Sequence, residues 1–236
     1  MGADRAATVA ALLAAAAGRG QRALAEHEAK QVLAAYGLPV TREILVTDRG
    51  AVPAAAARIG YPVVLKASSP AIPHKTERGL VRLGLPDDAA ALAAYDAVAA
   101  AVEGLAGGVL VQEMVPGPRE LALGLVRDPT FGPCVMFGLG GILTEALGDV
   151  TFRRAPLAPE DAQDMLEDIR GRGLLQEVRG LPAADRTTLA EMLVALGTLG
   201  LEQAAVQEID LNPVILAGAR PVVADALIVL RADPGR

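Results

Sequence analysis

The sequence lacks the residues from which several common kinds of site are built. It has no tryptophan and a single cysteine, Cys134, which excludes an internal disulfide framework and a zinc site built from cysteines. Its two histidines, His27 and His74, are too few for a histidine-rich metal site. Any catalytic metal should therefore be bound by oxygen ligands, as Mg²⁺ is.

Long apolar runs and an excess of basic residues are also missing. No apolar run reaches the ~18 residues that a membrane helix needs. The Ala-rich start fits a helix better than a signal peptide, because Asp4 beside Arg5 makes a poor basic leader. The net charge of −6 argues against nucleic acid or an anionic membrane as the main partner. We therefore expect a cytoplasmic protein with no nucleic-acid or membrane partner.

The apolar residues that are present have patterns of both helices and strands. The chain has 236 residues, 52% of them hydrophobic, so one or two domains with a sizeable core are expected. The spacing of Ala29, Val32, Leu33 and Tyr36 predicts a helix over residues 26–36. The segment YPVVLKA indicates a buried strand, and PVVADALIVL indicates another near the end. Intermixed helices and strands predict an α/β or α+β fold, with two lobes.

Basic residues follow the predicted strand YPVVLKA. Lys66 lies at its end, where a lysine suits an anionic group such as phosphate, although its side chain could also simply reach water. His74 and Lys75 lie in the next loop, which two prolines stiffen. A histidine there could carry a phosphoryl group that Lys75 neutralises, or it could be an ordinary exposed loop residue. The other histidine, His27, is expected to be a surface residue of the predicted helix.

Acidic and amide side chains are grouped near the end of the chain. Glu208, Asp210 and Asn212 occupy alternate positions of a predicted strand and so share one of its faces. Asp225 belongs to the next predicted strand, across a hairpin-like turn. A few oxygen ligands from neighbouring strands can hold Mg²⁺ together with nucleotide phosphates and water. Because a carboxylate in an apolar run is costly without a cation, we expect a magnesium site here.

Two further segments give weaker signals. Glu113 and Glu120 flank the turn PGP, where exposed backbone groups could bind an adenine edge and a carboxylate could bind ribose hydroxyls. The alternative is that both glutamates are simply exposed. The segment FGLGG, followed by Glu145, allows a ligand to approach the backbone closely. Neither a Walker P-loop nor a GxSxG nucleophile elbow is present.

Taken together, these segments resemble the ATP-grasp subunit or domain of NDP-forming acyl-CoA synthetases. ADP-forming acetate–CoA ligase is the best-known member, and the β subunit of succinyl-CoA synthetase is a more distant relative. The resembling segments include EHEAKQVLAAYGLPV, IGYPVVLKASSPAIPHKTERG, VLVQEMVPGPRELALGLV, FGLGGILTEALGD and EIDLNPVIL. They cover about residues 21–230 in the family's order.

The resemblance implies an ATP-grasp fold with two lobes that clamp ATP. Residues 1–20 would be an Ala-rich helix or linker, residues 40–108 the small lobe, and residues 21–39 and 109–236 the large lobe. The expected nucleotide contacts are Lys66 at phosphate and Glu113, Val115 and Glu120 at adenine and ribose. Asn212 and Asp225 would hold Mg²⁺, with Asp210 close by.

The implied reaction is carboxylate + ATP + CoA ⇌ acyl-CoA + ADP + phosphate. His74, with Lys75 beside it, would relay phosphate, and Glu145 would lie toward the active site of a CoA-binding α-type subunit or fused domain. The small carboxylate and CoA would bind through that partner, because this sequence has no Gly-rich CoA-binding segment.

Three positions depart from the family's pattern, and two alternatives stay open. Leu80, Arg154 and Leu227 stand where glycine, an apolar residue and arginine are usual, which bears on partner docking and turnover. One alternative is a non-catalytic nucleotide-binding module of the kind fused to protein acetyltransferases. The other is an ATP-dependent carboxylate–amine ligase. The loop with His74 argues against that second alternative, since those enzymes form acyl phosphate directly.

Overall fold

The computed structural model describes residues 2–72, 79–141 and 148–231, which form parts of two compact units. Unit 1 comprises Met1–Arg22, Lys30–Val40 and Val115–Arg236, and unit 2 comprises Ala23–Ala29 and Thr41–Met114. The chain passes between the units after Arg22, Ala29, Val40 and Met114, and the division after Ala29 falls within a helix, Glu26–Ala35. The lobe boundaries expected from the resemblance stay a prediction.

The helices begin and end where local chemistry favours it. The α-helices of the described residues are α1 (Gly2–Gly18), α2 (Glu26–Ala35), α3 (Val52–Ile59), α4 (Asp88–Ala99), α5 (Pro159–Asp168) and α6 (Arg186–Glu202). Asp87 caps α4 by accepting a hydrogen bond from the N–H of Ala90, and Asp185 caps α6 in the same way. The predicted helix over residues 26–36 is confirmed as α2. None of these helices combines the length and apolar character that a membrane-spanning helix needs.

Ten strands lie in the described residues. They are β1 (Glu43–Val46), β2 (Val63–Ser68), β3 (Val81–Leu85), β4 (Gly108–Glu113), β5 (Glu120–Asp128), β6 (Gly132–Leu139), β7 (Val150–Arg154), β8 (Val206–Ala217), β9 (Arg220–Val223) and β10 (Leu227–Leu230). The prediction of one continuous strand over PVVADALIVL is wrong, because the chain leaves the ladder at residues 224–226. The sequence does not reveal this break, because β9 and β10 are both largely apolar and both pair with β8.

Unit 2 is built on a four-stranded antiparallel sheet with the order β1-β4-β2-β3. Helices α3 and α4 pack against this sheet, and Val63, Leu65 and Ala67 of β2 belong to the apolar core. Every residue of β2 is buried, as the run YPVVLKA predicted. Lys66 is thus a charged side chain within a fully buried strand.

Unit 1 is built on a six-stranded antiparallel sheet with the order β10-β8-β5-β6-β7, and β9 pairs with β8. Helix α6 packs against β5 and β6, and α5 packs against α6 and β7. Along β8 the buried residues Ile209 and Leu211 alternate with Glu208 and Asp210, which are exposed. The acidic residues of β8 therefore lie on the face opposite the buried apolar side chains.

Candidate functional site

Lys66 is the fourth residue of β2 and forms a buried ion pair in unit 2. Its Nζ lies 3.0 Å from Oε1 of Glu26, the first residue of α2. The Lys66 side chain is 6% exposed and the Glu26 side chain 1%. Among the two readings of Lys66, a strand-end lysine that reaches water does not fit this burial. The ammonium is instead held inside the protein beside a carboxylate.

The neighbouring histidine of α2 contacts the end of the same strand. His27 is half-buried, and its Nδ1 lies 3.2 Å from Oγ of Ser68, the last residue of β2. The prediction that His27 is a surface residue is therefore wrong. Acidic neighbours suggested solvent, but the first turn of α2 packs against the strand. Ser68 is six positions before His74 in the sequence.

Three of the predicted site residues lie outside the described residues. His74 and Lys75 fall within residues 73–78, and Glu145 falls within residues 142–147. Their predicted roles in phosphate relay and at the partner's active site stay predictions.

Glu113, the last residue of β4, is bound by an arginine of unit 2. Its Oε1 accepts a hydrogen bond from the backbone N–H of Arg42, and its Oε2 accepts one from Arg42 Nε, each at 2.8 Å. The Glu113 side chain is 19% exposed, whereas that of Arg42 is 65% exposed. Both carboxylate oxygens thus have protein partners, and the role of Glu113 at a nucleotide stays a prediction. Val115 follows β4 in a half-buried position.

Glu120 begins β5 in unit 1, and the glycines of FGLGG approach it closely. The N–H of Gly140 donates to the carbonyl oxygen of Glu120 at 2.9 Å. Gly141 has a φ of +61°, and a Cβ there would overlap the Glu120 carboxylate. The glycines of FGLGG were expected to let a ligand approach, and in the structure they let Glu120 approach. The predicted contact of Glu120 with a nucleotide is not tested by this packing.

The register of β8 places Asn212 and Asp225 opposite one another. The pairs that define the register are Val214 with Val223 of β9 and Asp210 with Leu227 of β10. Both pairs have the same register, with no shift between them. In this register position 225, in the gap between β9 and β10, is opposite position 212 of β8. The N–H of Ala224 continues the same register by donating to the carbonyl oxygen of Pro213 at 3.0 Å. The two predicted metal ligands therefore occupy facing positions of this register, although Asp225 lies in a link and not in a strand. Their role at a metal stays a prediction.

The ladder is irregular on the other side of Asn212 as well. The pairing of β5 with β8 shifts by one residue between Leu121 and Leu123, next to Asn212. Such bulges re-aim side chains and interrupt pairing, and they are common beside active sites. Oδ1 of Asn212 accepts a hydrogen bond from the N–H of Gly141 at 3.0 Å, which orients the side-chain amide. Asp210 lies two residues before Asn212, on the exposed face of β8.

The oxygen atoms of this group suit Mg²⁺. Carboxylate and amide oxygens are hard ligands, and Mg²⁺ is commonly bound by one or two carboxylates together with substrate phosphates and water. No cluster of three or more His, Cys, Asp and Glu side chains that could hold a metal lies within residues 2–72, 79–141 and 148–231. Asn212, Asp225 and Asp210 therefore suit an ion whose other ligands come from a nucleotide, and they suit less well an ion that protein ligands alone enclose.

Two charged residues of α2 were missed by the sequence analysis. Glu26 pairs with Lys66 in unit 2, and in unit 1 Lys30 Nζ donates to the carbonyl oxygen of Ala224 at 3.0 Å. Ala224 immediately precedes Asp225, so Lys30 fixes the link that carries this carboxylate. The helical spacing could have revealed both residues. Glu26 lies three positions before Ala29 and Lys30 three positions before Leu33, which places them on the same side of the helix as its buried apolar residues.

The sequence analysis also missed Arg119 of unit 1, which binds backbone carbonyl groups next to the start of β5. It is buried directly before Glu120, and its guanidinium donates to four backbone carbonyl oxygens. The acceptors belong to Leu174, Gln176, Pro182 and Gly218. These bonds join the start of β5 to the segment of residues 174–182 and to the turn between β8 and β9. The sequence shows only an arginine in a Pro-rich turn, which does not reveal such acceptors.

Comparison with known protein families identifies this arrangement. A family model described as an ATP-grasp domain matches residues 15–230, which is most of the chain. The chain is an ATP-grasp domain. The fold class expected from the resemblance is thereby confirmed.

The relatives of this ATP-grasp domain include ADP-forming CoA ligases. It is 37% identical over 214 residues to the β subunit of acetate–CoA ligase [ADP-forming] I from Pyrococcus furiosus, covering 89% of this chain and 92% of that one. It is 39% identical over 198 residues to 4-hydroxybutyrate–CoA ligase [ADP-forming] from Nitrosopumilus maritimus, covering 82% of this chain. The match spans only 28% of the latter protein. The predicted family, that of the ADP-forming acetate–CoA ligases, is confirmed.

Solved structures of similar proteins include dinucleotide-forming acetyl-coenzyme A synthetase 1 of Candidatus Korarchaeum cryptofilum. Its complex with coenzyme A, Ca-AMPCP and HgCl⁺ has a TM-score of 0.89 at 40% identity, and the match covers 93% of this chain and 98% of that one. A second complex contains coenzyme A and Mg-AMPPCP, with a phosphohistidine segment that points towards the nucleotide binding site. That structure has a TM-score of 0.83 at 40% identity, covering 94% of this ATP-grasp domain and 100% of the matched chain.

Proposed function

We propose that this chain is the nucleotide-binding part of an ADP-forming acyl-CoA synthetase. The reaction is carboxylate + ATP + CoA ⇌ acyl-CoA + ADP + phosphate. The observation that carries the proposal is the match to 92% of a ligase β subunit, whereas the match to 4-hydroxybutyrate–CoA ligase [ADP-forming] spans only 28% of that protein. The chain would thus supply the nucleotide chemistry of the reaction, and another subunit or domain would supply the rest.

The residues of each unit have separate roles in this proposal. In unit 2 the ammonium of Lys66 would bind nucleotide phosphate, because a buried cation beside a carboxylate keeps its charge. In unit 1 Asn212 and Asp225 would hold Mg²⁺, with Asp210 close by. Bound Mg²⁺ would offset the negative charge of the phosphates. Glu113, Val115 and Glu120 are proposed to lie at the adenine and ribose.

His74 is proposed to carry the phosphoryl group. A nitrogen lone pair of its neutral imidazole would attack the γ-phosphorus of ATP, forming an N–P bond while the bond from phosphorus to the bridging oxygen breaks and ADP leaves. The positive charge of Lys75 would partly neutralise the carried phosphoryl group. The similar Korarchaeum synthetase has a segment named for phosphohistidine, which supports this assignment.

The remaining chemistry is proposed to belong to a CoA-binding α-type subunit or fused domain. That partner would bind the small carboxylate and CoA, and Glu145 would lie toward its active site. The ligase names of the relatives do not favour a regulatory module of the kind fused to protein acetyltransferases.

The function is tested by separating nucleotide binding from turnover. We expect the purified chain to bind Mg-ADP in a calorimetric titration and to form no acyl-CoA from acetate, ATP and CoA. Addition of a matching CoA-binding subunit should give acetyl-CoA and ADP in equal amounts. Failure to bind nucleotide, or full ligase activity of the chain alone, would contradict the proposal.

A further inference from the structure

The first turn of α2 contains a carboxylate that the proposed reaction does not use. Glu26 is 3% exposed, and its side chain lies against Lys66 of β2. It is the first residue of α2, where the partial positive charge of the helix N-terminus favours an ionised carboxylate. Its ion pair with Lys66 joins positions 40 residues apart in the chain.

Burial makes this pair consequential for the lysine. Desolvation disfavours the charged form of a lysine, and a carboxylate within about 4 Å favours it. With its side chain 6% exposed, Lys66 is desolvated, and the carboxylate 3.0 Å away favours its ammonium form. Removal of one partner from a buried pair leaves an uncompensated charge, whereas removal of both does not.

The pair also determines where the ammonium lies. A lysine side chain is a point charge on a flexible four-carbon stem, so its backbone alone does not fix the position of Nζ. Leu65 and Ala67, the neighbours of Lys66 in β2, are apolar and fully buried. Glu26 therefore holds the charge of Lys66 at a defined point beside the strand.

We propose that Glu26 is a positioning residue that keeps the Lys66 ammonium charged and aimed for the phosphate of the nucleotide. The inference rests on the proposed function, in which Lys66 binds that phosphate. Glu26 itself touches no substrate in this proposal and acts only through Lys66. Its loss should thus weaken nucleotide binding only while Lys66 is present.

A double-mutant cycle on the full chain tests this dependence, with Mg-ADP as the probe in calorimetric titrations. We expect Glu26→Gln to weaken binding by about tenfold or more, since it removes the negative charge 3.0 Å from the buried ammonium. Glu26→Asp keeps a carboxylate and should give an intermediate affinity. In a Lys66→Met background, either change should alter the affinity less than about twofold. The control Asp96→Asn, which breaks an exposed ion pair with Arg49 in the same unit, should leave binding unchanged.

The outcomes separate positioning from a merely structural role. An unchanged or tighter affinity of Glu26→Gln would overturn the inference. So would a loss of affinity from Glu26→Gln that is as large in the Lys66→Met background as in the wild type. If Glu26→Gln does not fold, the cycle with Glu26→Asp decides in the same way, because that variant retains the pair of charges. A wild-type chain that binds no Mg-ADP would instead contradict the proposed function, and this inference with it.

Discussion

Asn212 of β8 and Asp225 of the link between β9 and β10 occupy facing positions of a single antiparallel register. The ladder is open at this point, and its pairing with β5 also shifts beside it. Both side chains have backbone partners there, because Oδ1 of Asp225 accepts a hydrogen bond from the N–H of Ala226 and Oδ1 of Asn212 accepts one from the N–H of Gly141, each at 3.0 Å. Since Lys30 holds the carbonyl of Ala224 and Gly141 holds the amide of Asn212, both candidate ligands are attached to fixed backbone.

We predict that Asp225→Asn weakens Mg-ADP binding and leaves the fold intact. The change removes a negative charge from a hard-cation site and should cost about tenfold or more in affinity, or about 1.4 kcal/mol. Titration at several Mg²⁺ concentrations measures it. Glu208→Gln is the matched control, because Glu208 is an exposed carboxylate of β8 opposite Val229. An unchanged Mg²⁺ dependence for Asp225→Asn would contradict the metal assignment.

A second prediction concerns acid stability and Asp149 of unit 1. Its carboxylate accepts hydrogen bonds from the backbone N–H groups of Arg170 at 2.9 Å and Gly171 at 2.7 Å. Burial raises the pKa of Asp149, but these donors together with the Arg170 guanidinium outweigh burial, so the pKa lies below its ordinary value. Ionised Asp149 therefore stabilises the fold above about pH 4, and this stabilisation is lost as the pH falls through the lowered pKa.

We accordingly expect Asp149→Asn to destabilise the protein by about 1–2 kcal/mol at neutral pH. The difference in unfolding midpoint between wild type and variant should shrink when the same measurement is made near pH 3. A difference that is equal at both pH values would show that the charge of Asp149 contributes nothing.

A third prediction uses the glycine that packs against the end of β2. Gly107 has a φ of +125°, and a Cβ added there would overlap the carbonyl oxygen of Ser68. Gly107→Ala should therefore destabilise unit 2 by roughly 2–3 kcal/mol, through strain and the displaced strand end. Gly104 is the matched control, with a φ of +73° and no atom within 4 Å of such a Cβ. Gly104→Ala should cost only about 1 kcal/mol, and equal losses by thermal unfolding would contradict the packing argument.

Local patterns were enough to predict much of this fold. Helical spacing predicted α2, and an apolar run predicted the buried strand β2. The break between β9 and β10 could not be predicted, because both strands and the link are nearly all apolar and the break appears only in their pairing with β8. Recognition of alternating polar positions did group Asp210 with Asn212, since strand periodicity is local.

Long-range pairing explains what was missed in the candidate site. Glu26 lies far from Lys66 in the chain, and Arg119 binds carbonyl groups of residues 174–218. Such partners depend on how elements pack together, which the spacing of residues in one segment does not contain. His27 was misjudged for the same reason, because its acidic neighbours did not indicate the contact with Ser68.

The last prediction is that His74 carries the phosphoryl group and that His27 does not. The chain has only these two histidines, so each serves as the control for the other. The chain is incubated with the CoA-binding partner and with ATP labelled in the γ-phosphate. We expect this chain to acquire a label that is labile to acid and stable to base, as expected for a phosphorus–nitrogen bond. His74→Asn should abolish the label and the coupled reaction while Mg-ADP still binds, because asparagine keeps polarity but lacks a nucleophilic ring nitrogen. His27→Asn should retain the label. Full coupled activity of His74→Asn, or loss of label only in His27→Asn, would contradict the assignment of His74 as the phosphoryl carrier.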